Sequence, residues 1–315
     1  MKVIDLINSS KSTAFSFEIL PPLKGNSIQK VYNVIDKLIE FDPKYINITS
    51  HHSEYIYKTL PDGSFQKINI RKRPGSVAIA SAIQNKYGIT AVPHIICKGF
   101  TKDETEYALI DLNFLGVYDL LLLRGDVKTL EAGQKTDIYH EHATDQKQVN
   151  DFNKGIAIDG SAFEANETPF SYGMACYPEK HEEAPNMESD IFYLKEKVKN
   201  GADYLVTQMF FDNEKYYAFV DRCRAEGITV PIIPGIKPIV FKNQLTVLPK
   251  IFRSDIPEPF ATELRKCKTD DEAKAVGVEW CIQQCKDLIA HGVPSLHFYT
   301  MMASDSVYKV AKEVY

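Results

Sequence analysis

Eight short runs rich in β-branched, aromatic and leucine residues recur along the chain, and every interval between them is long enough to hold a helix. They are AFSFEIL (14–20), YINITS (45–50), ITAVPHIIC (89–97), DLLLLRG (119–125), SYGMACY (171–177), YLVTQMFF (204–211), TVPIIPGI (229–236) and SLHFYTMM (295–302). Amphipathic helical patterns fall between them near 26–40, 75–87, 102–115, 187–200, 213–226 and 271–291, with weaker ones near 142–152 and 243–252. Local punctuation agrees: Asn26 or Ser27 can cap the first helix, Thr101 and Glu104 form a capping box, and Gly88, Gly116, Gly201 and Gly227 stand at helix ends. Parallel strands joined by right-handed crossovers either fan into a doubly wound sheet or close into a barrel, and eight of them favour closure.

The expected fold is therefore α/β, a (β/α)8 TIM barrel forming a single domain over residues 1–315. Two intervals, 126–170 and 237–294, exceed the repeat of about thirty residues. The first is rich in Asp, Glu, Gly, Lys and Asn and follows strand four. It predicts an extended loop insertion, 127–168, at the C-terminal mouth, where barrel enzymes keep their chemistry.

Charge narrows the range of partners. Lysine and arginine total 37 against 42 acidic residues, a formal net charge of -5, so there is no basic field to hold nucleic acid. No apolar run approaches the roughly 20 residues that cross a bilayer, and MKVIDLINSSK lacks the apolar core of a signal peptide. A cytoplasmic protein without membrane contact is expected. The six cysteines are scattered and form no CxxC pair, which reads as reduced thiols, and Cys281 and Cys285 read as core residues of one helix.

In a barrel the C-terminal strand ends collect the chemistry, and here they carry polar side chains that packing alone does not require. Strand one delivers Glu18, strand two Thr49 followed by His51 and His52, strand three His94, and strand four Arg124 and Asp126. Strand five adds Tyr177, strand six Gln208, and strand eight His297 and Tyr299. Glu18 lies among Phe15, Phe17, Ile19 and Leu20 and precedes Pro21 and Pro22, so its carboxyl group should meet a low dielectric, stay protonated and act as a general acid. The competing reading pairs it with a lysine or arginine across the barrel.

Other chemistries find less support. His140 and His142 form an HEH triplet on the inserted loop, and His51 and His52 are adjacent, so neither pair is a rigid ligand set. No metal site is assigned, and a metal-dependent TIM-barrel hydrolase stands as the alternative. Lys237 lies beyond strand seven in a Pro-bounded turn, which argues against a Schiff-base nucleophile. No GxGxxG follows any strand. The RKR run at 71–73 reads either as a solvated turn or as a contact for phosphate or carboxylate.

Seven segments in order, FSFEILPP, PHIICKG, LLLRGD, ACYPEKHEEA, TQMFFD, PIIPGIKP and HFYT, resemble the methylenetetrahydrofolate reductase family, in its single-domain bacterial form. The resemblance runs from about residue 14 to the end of the chain. It implies a flavoprotein of one-carbon metabolism and methionine synthesis. FAD would take hydride from NADH or NADPH, then reduce 5,10-methylenetetrahydrofolate to 5-methyltetrahydrofolate in ping-pong fashion, with a homo-oligomer compatible with the family. It makes Glu18 and Asp126 the catalytic pair, Glu18 as proton donor and Asp126 near the flavin and pterin, with Gln208 and Tyr299 binding folate. FAD contacts carry over to Thr49, His94, Leu123, Arg124, Gly125, Asp126, Ala143, Ala175, Tyr177, His181, Asp190 and Lys197. Arg124, His181 and Lys197 suit a pyrophosphate and Asp190 a hydroxyl group, whereas Ala175 and Leu123 can equally be packing residues. The chain departs from the family at HATD (142–145), where His142 replaces an aromatic flavin contact. It departs also at Tyr193 and Glu196, and at Ala303, where an arginine that meets the glutamate tail is common.

Overall fold

The computed structural model describes residues 1–50, 54–96, 100–125, 145–301 and 304–315. His51, His52, Cys97, Asp126, His140, His142, Ala143 and Ala303 lie outside the described residues, as does the first part of the expected insertion, 127–144.

Nine parallel strands form one sheet in the order β10-β11-β1-β2-β5-β6-β7-β8-β9. The strands are β1 (Ala14–Ile19), β2 (Tyr45–Ile48), β5 (Thr90–Ile96), β6 (Asp119–Leu123), β7 (Ser171–Cys176), β8 (Tyr204–Thr207), β9 (Ile232–Ile233), β10 (Gly235–Ile236) and β11 (Ser295–Tyr299). The two edge strands are halves of one passage: β9 pairs with β8, β10 pairs with β11, and Pro234 interrupts between them. The expected strand seven thus closes the ring, but as two dipeptides, because proline has no N–H to give to the ladder. The TIM barrel expected from the pattern is the observed fold.

Helices α2 (Gln29–Leu38), α3 (Ser76–Tyr87), α4 (Lys102–Phe114), α6 (Met187–Lys199), α7 (Asn213–Ala225), α10 (Asp270–Ala290) and α11 (Ser304–Val314) supply the outer layer. At the start of α4 Thr101 and Glu104 form the expected capping box, and Gly88 ends α3 in the left-handed conformation. In the region 127–168 the described part holds α5 (Asp145–Asn153), and past it Ile158 donates its backbone N–H to the buried Glu106 of α4. The five described cysteines are buried free thiols, Cys281 and Cys285 among them. Among the described residues no helix is long and apolar enough to cross a membrane.

Three elements go beyond the sequence reading. Helix α1 (Val3–Ser9) inserts Val3 and Ile7 into the floor of the barrel, and the Val3 N–H donates to Asp119 Oδ1 at 2.9 Å. A hairpin of β3 (Glu54–Thr59) and β4 (Phe65–Ile70) follows strand two, its turn closed by Asp62, which accepts from the Ser64 N–H and hydroxyl. Helix α9 (Glu258–Lys266) joins α8 (Gln244–Phe252) in the long interval before strand eight.

Strand alternation divides the core in two. Phe15, Phe17, Ile19, Ile46, Ile48, Leu120, Leu122, Leu296 and Phe298 face the helices. Tyr45, Val92, Leu121, Tyr204, Val206 and Ile233 fill the barrel interior with Val3 and Ile7. Gly173 makes the interior packing possible, since a Cβ there would lie 2.3 Å from Cε2 of the Tyr204 ring. Gly173→Ala is accordingly expected to cost about 1–3 kcal/mol through overpacking, read as a lower urea midpoint at unchanged slope.

Candidate active site

The side chains that face inward at the C-terminal ends of the strands form the mouth. On β1 the register sets Glu18 level with Asn47 of β2 and with Tyr299 of β11. Its neighbours Phe17 and Ile19 point outward into the helical layer, so the strand that buries those two rows also drives the carboxyl group inward. Glu18 is 7% exposed, and His94 Nε2 of β5 lies 3.7 Å from its Oε2. Burial pushes the carboxyl pKa up to about 8, with Lys237 pulling it partly back. At neutral pH Glu18 is therefore protonated and able to donate.

Tyr299 and Gln208 share this part of the mouth. The Tyr299 hydroxyl donates to the Thr207 carbonyl at 2.6 Å, and Gln208 is the next residue, its own N–H held by the Cys176 carbonyl at 2.9 Å. The Gln208 Oε1 accepts the Met209 N–H at 3.0 Å. His297 lies one inward step below, level with Ser16 rather than with Glu18. Its Nδ1 is 3.0 Å from the Ser16 hydroxyl and its ring stacks on Tyr45, while burial pushes its pKa down to about 3. His297 is thus a neutral interior residue rather than a group at the rim.

The expected flavin contacts gather on the far side, around β6, β7 and α6. Arg124 and Gly125 follow β6, and Gly125 takes φ of 81° where a Cβ would collide with Ile96 Cγ2 at 2.0 Å. The Arg124 guanidinium is ion-paired with Glu183, and its Nε is buried with no partner among the described residues. Tyr177 packs edge-on against His181 at 4.7 Å between centroids. Asp190 accepts the His181 N–H at 2.8 Å, and Lys197 Nζ donates to the Ala175 carbonyl at 3.0 Å. Leu123 closes the inward row of β6 beside this group. Across the mouth, Thr49 follows β2 with its Oγ1 buried and unpartnered among the described residues. Arg124, with its orphaned guanidinium nitrogen, and Lys197 are the cations here, and they lie with the His181 imidazole, whose pKa burial lowers, near a chain reversal too tight for a side chain, a donor set that fits a phosphate-bearing cofactor.

The sequence reading left out two residues of the mouth. Asn47 is fully buried, with both amide atoms unpartnered among the described residues, and the alternation Tyr45, Asn47, Thr49 marks it as inward. Lys237, set aside as a nucleophile, is partly buried, and burial lowers its pKa, with Glu18 offsetting part of that lowering. Among the described residues no three His, Cys, Asp or Glu side chains converge as metal ligands.

A closed (β/α)8 barrel with a buried proton donor at its C-terminal mouth and a cationic cradle beside it defines an enzyme-type barrel. The chain matches the methylenetetrahydrofolate reductase family over residues 2–315, and it belongs to that family. It is 30% identical to the 5,10-methylenetetrahydrofolate reductase of Escherichia coli over 297 residues, 94% of this chain and 88% of that protein. It is also 30% identical to a probable methylenetetrahydrofolate reductase (NADPH) of Caenorhabditis elegans, covering 99% of this chain and 43% of that protein. The chain therefore spans about half the length of such relatives. Among solved structures it shares its fold with an uncharacterized protein from Clostridium thermocellum that binds two copies of 5-methyl-5,6,7,8-tetrahydrofolic acid. The TM-score is 0.55, with 16% identity over 98% of this chain and 97% of that one.

A carboxyl group whose folded pKa lies above its ordinary 4.5 contributes stability that is fully present below pH 4.5 and is lost as the pH rises through about 8. Unfolding of the parent and of Glu18→Gln at pH 5 and pH 9 should show the parent losing on the order of a few kcal/mol relative to the variant at the higher pH. An unchanged difference between the two pH values would show that Glu18 is not desolvated.

Proposed function

We propose that this protein is a methylenetetrahydrofolate reductase, using NADH or NADPH to convert 5,10-methylenetetrahydrofolate to 5-methyltetrahydrofolate, within the cytoplasm and in support of methionine synthesis. The reading rests on Glu18, a carboxyl group kept protonated by burial at a barrel mouth in a chain of this family. FAD, when bound, would supply the hydride relay between the two substrates, which take turns at one flavin face.

The chain's own residues carry the remaining tasks. Opening the folate's five-membered ring needs a proton at the departing amine nitrogen, which leaves an iminium carbon able to accept hydride. Glu18 holds that proton where water is scarce. Gln208 offers an amide donor and acceptor to the pterin edge, and Tyr299, fixed by Thr207, lines the same side. Asp126 takes the role that the family resemblance gives it, next to the pterin and the flavin. Arg124, His181 and Lys197 would meet the pyrophosphate, with Thr49, His94, Leu123, Gly125, Ala143, Ala175, Tyr177 and Asp190 along the cofactor and His142 in place of the aromatic contact. Arg124 would exchange part of its pairing with Glu183 for the phosphate oxygens.

Three experiments test the reading. The purified protein should be yellow, bleach anaerobically with NADH or NADPH and recover colour with methylenetetrahydrofolate. In Glu18→Gln bleaching should persist while the folate step slows by about 10²- to 10⁴-fold, and equal loss of both steps would remove Glu18 from the proton-donor role. Arg124→Ala should weaken FAD retention about 10- to 100-fold by equilibrium dialysis, the scale of one charged hydrogen bond.

A further inference from the structure

We propose that Lys237 is the resident counter-charge of Glu18, a positioning residue that lets the carboxyl group cycle between its protonated and ionised forms inside the mouth. The placement comes from the barrel itself. Gly235 and Ile236 of β10 pair with His297 and Phe298 of β11, so Lys237, one residue on, stands level with Tyr299. Glu18 stands level with Tyr299 from the other side. The two residues thus flank one tyrosine, two strand spacings or roughly 10 Å apart along the backbone. Alternation turns Ile236 outward into the helical layer and Lys237 inward.

The segment is also held firmly. Pro234 and Pro238 bracket it, and the Gly235 N–H donates to Thr207 Oγ1 at 2.9 Å. A Cβ on Gly235 would meet the Thr207 carbonyl oxygen at 2.3 Å and the Tyr299 ring at 2.6 Å. A lysine that only needed water would gain nothing from being seated here, on the same inward row as a carboxyl group.

The chemistry gives this position its purpose. After donating its proton Glu18 is a carboxylate at a site 7% exposed, and an isolated buried charge is costly. The described groups that face it are Asn47 from β2, His94 from β5, Tyr299 from β11 and Lys237. Of these Lys237 alone is cationic by its ordinary chemistry. Burial loosens the lysine's proton and Glu18 tightens it, while the lysine eases ionisation of Glu18, so each group makes the charged form of the other cheaper. The same coupling opposes the loss of the lysine's proton that burial favours, and so works against a nucleophilic role.

The kinetic consequence rests on the proposed reductase reading, whereas the charge coupling does not, and the test separates them. The protonated Glu18 carbonyl stretch is isolated as the infrared difference between the full-length parent and Glu18→Gln, and followed with pH. In Lys237→Met the band should persist to a pH about one unit higher, a tenfold lower proton concentration, and Lys237→Gln should shift in the same direction. Lys237→Arg should follow the parent. The alkaline limb of the folate step should move upward by the same amount in Lys237→Met. A band that titrates in Lys237→Met and Lys237→Gln where it does in the parent, or lower, overturns the pairing. A shifted band in a protein that does not reduce methylenetetrahydrofolate overturns the reductase reading and leaves the pairing standing.

Discussion

Closure of the ring through residues 232–236 is the constraint on which the site depends. Ile232 and Ile233 bond to β8, Gly235 and Ile236 bond to β11, and Pro234 takes the step between them. Because that passage joins the first and last parts of the sheet, Thr207 at the end of β8 can accept the Tyr299 hydroxyl of β11 and the Gly235 N–H through two different oxygens. Glu18, Tyr299, Lys237 and Gln208 come from four separated stretches of chain, and this closure brings them to one sector of the mouth. An open sheet would leave Tyr299 and Thr207 on opposite edges.

The closed ring also sets the electrostatics. Its interior is filled by Tyr45, Tyr204, Leu121 and Val206, with Val3 and Ile7 sealing the floor, so Glu18 stands above a closed, water-poor interior in which the row just below it, Ser16 and His297, is itself fully buried. In such surroundings desolvation outweighs a single nearby cation, which is why the carboxyl pKa stands near 8 despite Lys237. His297, deeper by one inward step, meets the same desolvation without a carboxylate in its register row and stays neutral. One strand step separates a group able to exchange protons with a ligand from a group that only packs.

Much of this was legible from pattern. The strands and most helices followed from hydrophobic period and caps, and Glu18 stood out because polar residues are rare in a run as apolar as AFSFEIL. The β3–β4 hairpin has a local signal, the Asp62-Gly63 turn, but its strands lack the apolar runs that mark the barrel strands. Helix α1 had none, because seven residues with Val3 and Ile7 on one side become a plug only when a barrel floor exists to receive them. Lys237 depends on the ring in a related way: seen along the chain it lies in a turn between prolines, and seen around the ring it faces Glu18.

The amino-acid order by itself determined which residues are buried and in which rhythm, since periods of two and 3.6 are properties of local backbone geometry. From that rhythm came the barrel and the list of strand-end side chains, while the family resemblance rested on the residues of particular segments such as FSFEILPP and PIIPGIKP. Which of those side chains meet was decided by tertiary structure alone. Register across β10, β11, β1 and β2 places Lys237, Tyr299, Glu18 and Asn47 in one row. It does so through hydrogen bonds between segments up to about 280 residues apart, as with Ser16 and Leu296, and no local pattern encodes such a pairing.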